Sequence, residues 1–164
     1  MKKSIAVATT TLLTLGTFSS AMAATDTDTL FLQGEVAETT EITVTDKAAA
    51  QTLDILNGES DLSVATADEF SNSLNGYEIK MYSDNAGALQ NSSNNSISTS
   101  YQIKYGANSY QTPGTSSSPV TILSETGTGS AISNTRDVKV NVTAFPGAVV
   151  GTYEDTVTFV IESL

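Results

Sequence analysis

Tyr101-Gln102-Ile103-Lys104-Tyr105 puts an apolar side chain at every second position, with a polar one between each pair. Successive side chains of an extended chain leave opposite faces, so this run has one dry face and one wet face. The pattern recurs on either side of it. Tyr77, Ile79 and Met81 alternate with Glu78 and Lys80, and Val138, Val140 and Val142 alternate with Lys139 and Asn141. Shorter runs of the same kind are Leu30–Val36, Ile42 and Val44, Leu53 and Ile55, Leu62 and Val64, and Val120 and Ile122. The last is Val157, Phe159 and Ile161, where Val160 interrupts the polar face. So many half-apolar strands in a chain of 164 residues predict an all-β, immunoglobulin-like antiparallel β-sandwich. A closed barrel is the alternative architecture.

The breaks between runs are equally legible. Ser83-Asp84-Asn85-Ala86-Gly87 reads as a turn, because Asn and Gly accept positive φ. Residues 91–95 read as a polar loop, and the Pro-, Ser- and Gly-rich residues 112–119 and 127–130 read as longer ones. Helical spacing is confined to Lys47–Leu56 and Ala65–Leu74, each good for a turn or two. There is no internal repeat.

The first residues speak to compartment. Lys2 and Lys3 precede an apolar, Thr-rich stretch from Ile5 to Phe18, and Ala21-Met22-Ala23 has the small-x-small form of a cleavage site. This pattern predicts a signal peptide over residues 1–23 and a mature chain beginning at Ala24. The stretch is too short and too polar for a permanent membrane span. No later stretch approaches that length, so an exported protein without stable membrane insertion is expected. The remainder divides into an N-terminal extension, residues 24–37, and one sandwich domain, residues 38–164.

Charge and composition narrow the chemistry. The chain has seven basic and eighteen acidic residues, a formal net charge of −11. Phosphate recognition needs clustered Lys and Arg, so nucleic acid is not an expected partner. Cysteine and histidine are both absent. That removes disulfides, thiol nucleophiles, Ser-His-Asp triads and the commonest metal ligand. A carboxylate pair could hydrolyse glycosides, but the acids fall mostly at outward strand positions, as Glu35, Asp54 and Glu78 do, or in turns. Asp26 and Asp28 alternate with Thr, yet lack the loop and distal Glu of a calcium site. No catalytic residue, cofactor or metal is expected, and neither is an enzyme.

Two segments carry a resemblance. Asp28-Thr29-Leu30-Phe31-Leu32-Gln33-Gly34-Glu35-Val36 resembles the N-terminal extension of chaperone–usher pilus subunits. Gly151-Thr152-Tyr153-Glu154-Asp155-Thr156-Val157-Thr158-Phe159-Val160-Ile161 looks like the last strand of pilins and of the related spore coat U-like domain. The resemblance implies an incomplete sandwich completed by a donor strand from a neighbour. Leu30, Leu32, Gly34 and Val36 would enter the neighbour's groove, and Val157, Phe159 and Ile161 would border the receiving one. It further implies identical or related subunits, a periplasmic chaperone and an outer-membrane usher as partners, and a final place in a cell-surface fimbrium supporting adhesion or biofilm. The chain reaches Leu164 three residues after this strand, which reads as no closing strand of its own. Two features depart from the family: its early disulfide is missing, and Glu162-Ser163-Leu164 replaces the usual aromatic near the end.

The residues alone leave a second reading open. Leu30–Val36 has the alternation of an ordinary first strand, which would make the protein a self-contained secreted sandwich with a binding or matrix role. Gly34 tilts the balance toward exchange, since glycine weakens a strand interior unless another backbone must come close.

Overall fold

A computed structural model of the chain describes residues 25–164, so the expected leader over residues 1–23 lies outside the described residues. Two units are distinguished, one ending at Glu35 and one spanning Val36–Leu164. Residues 25–35 carry no helix or strand. The strand expected over Leu30–Val36 is therefore not formed in the single chain. An isolated extended segment has no ladder to hold it, whatever its alternation.

The second unit is all β. Its strands are β1 (Thr40–Asp46), β2 (Glu59–Ser71), β3 (Gly76–Ser83), β4 (Ala88–Asn91), β5 (Asn94–Tyr105), β6 (Val120–Thr126), β7 (Ile132–Val142), β8 (Tyr153–Glu154) and β9 (Val157–Ser163). One sheet has the order β1-β2-β7-β5-β4-β8 and the other β6-β3-β9. Every strand pair is antiparallel. Two separate sheets with free edges make a sandwich, and the closed barrel is not formed.

The runs read from the sequence supply the core. Tyr77, Ile79 and Met81 of β3 are wholly buried, facing Tyr101, Ile103 and Tyr105 of β5 and Val138, Val140 and Val142 of β7. Each such side chain removed from water contributes roughly 1.5–3 kcal/mol. Gly76 starts β3 at φ +101, and a Cβ there would sit 2.0 Å from Glu125 O, so only glycine fits this tight entry.

Three local expectations change. Ala65–Leu74 is mostly strand, since its first seven residues complete β2, which is hydrogen-bonded on both sides by β1 and β7. Pairing on two edges overrides a weak helical spacing. Lys47–Leu56 holds only a 3₁₀ turn, Ala48–Gln51. Leu53 and Ile55 follow it outside any strand, although Ile55 O accepts the Phe145 N–H at 2.8 Å. Finally, β4 is a strand that alternation does not announce, because its single large apolar residue, Leu89, gives no pattern to read.

Candidate functional site

The two sheets do not meet all round. β1 and β9 are edge strands, each hydrogen-bonded on one side only. They approach each other across the open flank of the sandwich. The chain reverses between β1 and β2, passes to the second sheet as β3, and reverses again into β9. β1 and β9 each have one row of backbone donors and acceptors left free.

Between them lies a groove of about 920 Å³. One wall is Ile42 and Val44 of β1, continued by Leu53 and Ile55. The floor is core: Val138 and Val140 of β7 with Tyr101 and Ile103 of β5. The opposite wall is Tyr153 of β8 with Val157 and Phe159 of β9. A packed interior keeps few voids larger than a water molecule, so this is an uncovered part of the core. Val44 is accordingly exposed and the other wall residues only half-buried, while their floor neighbours are buried.

Of the expected acceptor residues, Val157 and Phe159 line the groove and Ile161 does not. Ile161 pairs with Ile79 further along β9, beyond the groove's end. Phe159 leans on the Tyr105 ring, with centroids 5.7 Å apart. Of the expected donor residues, Leu30, Leu32 and Val36 are each more than 80% exposed. A Cβ added to Gly34 would meet nothing within 4 Å. Donor and acceptor residues thus each keep apolar surface in water.

Sequence reading misses Tyr153. Its hydroxyl accepts the Val149 N–H and donates to Val149 O, both at 3.1 Å, and its ring meets Phe145 edge-on. These contacts fix the groove's lower wall. The only hint in the sequence is a lone aromatic beside a Gly-containing bend. Asp155, at the same end, accepts the Asn85 N–H at 3.0 Å and the Tyr101 hydroxyl at 2.8 Å. Burial raises the Tyr101 pKa, and Asp155 adds to the rise.

The buried carboxylate lies elsewhere. Glu69 of β2 is 2% exposed, against the expectation that acids face outward. It accepts hydrogen bonds from the hydroxyls of Tyr77 and Tyr105, and Arg136 Nε lies 2.9 Å away. Arg136 also reaches Glu125 of β6 at 3.0 Å. Residues of both sheets therefore converge on one carboxylate. With both carboxylate oxygens engaged, the cluster is a cross-sheet clasp. Among the described residues no group of His, Cys, Asp and Glu is placed to hold a metal.

No protein-family model matches this chain, and comparison with curated proteins finds no relative.

Proposed function

We propose that this protein is a structural subunit of a surface pilus or fimbria, joined to its neighbours by donor-strand exchange. The observation that carries the reading is the open apolar groove between two edge strands, β1 and β9, each paired on one side only. The occupant is the segment Leu30–Val36 of a second copy, whose alternation supplies three large apolar side chains to one face and whose own chain leaves them exposed. A strand laid in the groove gains ladder hydrogen bonds along a free edge while its alternate side chains fill the floor. Three such side chains at roughly 1.5–3 kcal/mol each, plus the ladder, are enough for a durable joint. On this reading the groove is covered in transit by a periplasmic chaperone and subunits are handed on through an outer-membrane usher. No catalytic step is involved.

Residues 24–164 and a Leu30→Asp/Leu32→Asp variant, compared by size-exclusion with light scattering and by electron microscopy, test this. Heat-resistant ladders or fibres from the first and none from the second are expected. A first chain that stays monomeric at every concentration, and that binds no added peptide of residues 28–38, overturns the reading in favour of a self-contained sandwich.

A further inference from the structure

The donor-strand reading, on which this inference rests, requires that the extension be kept from pairing with its own β1. Val36 lies four residues before Thr40, where β1 begins. A three-residue turn over 37–39 is a common hairpin length. It would set Val36 opposite Thr40, Gly34 opposite Ile42 and Leu32 opposite Val44. Ile42 and Val44 point into the groove, so this register would send the extension's apolar face inward. Short tethers give effective concentrations in the millimolar range. Self-closure would therefore outrun assembly between chains.

The structure places one side chain across that turn. Asn72 Oδ1 accepts the Thr39 N–H at 2.6 Å, and Asn72 Nδ2 donates to Ala37 O at 2.8 Å. The Asn72 N–H also donates to Thr39 O at 3.1 Å. In extended backbone the C=O of one residue and the N–H two residues on point to the same side, and the Asn72 amide takes both. It prolongs the β1–β2 ladder past Thr40↔Ser71 and holds 37–39 in line with β1. A hairpin at 37–39 must break both side-chain bonds.

We infer that Asn72 is a positioning residue that bars the extension from its own groove and so commits Leu30–Val36 to a second copy. The test uses residues 24–164 refolded at low concentration, with a fluorescent peptide of residues 28–38 as probe of an open groove. Monomers of the unaltered sequence take up the peptide and polymerise when concentrated. Asn72→Ala monomers take it up about tenfold less and resist polymerisation, the ratio expected for two ordinary hydrogen bonds. Asn72→Asp, which keeps the acceptor and loses the donor, falls between them. Adding Leu32→Asp to Asn72→Ala restores peptide uptake, because the altered extension no longer competes. Uptake and assembly unchanged in Asn72→Ala would overturn this role and leave donor-strand exchange standing. Failure of Leu32→Asp to restore uptake assigns Asn72 to the groove's own folding and also overturns it. No uptake by the unaltered chain, or by its Leu32→Asp form, removes the donor-strand reading itself.

Discussion

Glu69 and Phe159 both face the space between the two sheets, yet their surroundings are opposites. Around Glu69 the interior is polar and complete: two tyrosine hydroxyls and a guanidinium meet one carboxylate that is 2% exposed. Around Phe159 it is apolar and incomplete: the ring has Tyr105 on one side and an open groove on the other. The first region is strictly specified, since a buried charge tolerates no missing partner. The second is loosely held, since an apolar wall facing water gains only part of its burial energy. One molecule thus combines a sealed flank, which fixes how the sheets stack, with an unfinished flank, which has free energy still to gain.

The sealed flank should show the largest effect. Arg136→Leu leaves the Glu69 carboxylate buried without its cation, and loss of one partner from such a pair costs about 3–5 kcal/mol. Urea denaturation of the monomer measures it. A loss under about 1 kcal/mol would mean that the two tyrosines hold the charge unaided, and the contrast between the flanks would weaken.

The alternating runs at 77–81, 101–105 and 138–142 announce the core because each has a polar face to contrast with its apolar one. The clasp is not legible. Glu69 belongs to an Ala-containing stretch of mixed polarity, and its burial depends on Tyr77, Tyr105 and Arg136 arriving from three other strands. The groove is half legible. Ile42, Val44, Val157 and Phe159 read correctly as strand residues, but periodicity says which face is apolar and not whether anything covers it. Leu53 and Ile55 have the spacing of a strand and instead form a wall without a ladder. Leu30–Val36 has the alternation of a strand and no strand forms, since pairing needs a partner that alternation does not supply.

Met81 and Phe159 are cross-strand neighbours in the β3–β9 ladder, which makes them a direct test of the two environments. Met81 is wholly buried, so Met81→Ala should cost about 2–5 kcal/mol. Phe159→Ala should cost only about 1–2 kcal/mol in the free chain, below the range for a fully buried Phe, because part of the ring is already wet. With saturating peptide of residues 28–38 the Phe159 penalty should rise toward the Met81 value. Equal penalties in the free chain would show the groove to be closed in solution.

The extension separates stability from assembly. Leu30 is 83% exposed, and exposed substitutions usually change stability by under about 0.5 kcal/mol. Leu30→Asp should leave the monomer's melting temperature unchanged while lowering fibre yield several-fold, read by light scattering on the same samples. A melting temperature that drops with the fibre yield would place Leu30 in its own domain's core.

The smallest effect belongs to the outer surface, where Asp61 sits at φ +53 beside a bulge in β2. Lys139 Nζ at 2.5 Å and the Tyr110 hydroxyl at 2.7 Å hold its carboxyl down from 3.8 to about 2, with Lys104 further off. A depressed folded-state pKa favours the native state above the unfolded value, and that contribution disappears as pH falls from about 4 through 2. Asp61→Asn keeps a residue type that tolerates positive φ, so it should flatten the stability profile only in that window. The difference should shrink in high salt, as exposed pairs are screened. Asp61 lies outside the groove's walls, and distant sites contribute independently. The acid-limb difference between the unaltered chain and its Asp61→Asn variant should therefore be the same with and without bound 28–38 peptide. A difference that changes on filling the groove would mean that the groove and this outer surface are mechanically coupled.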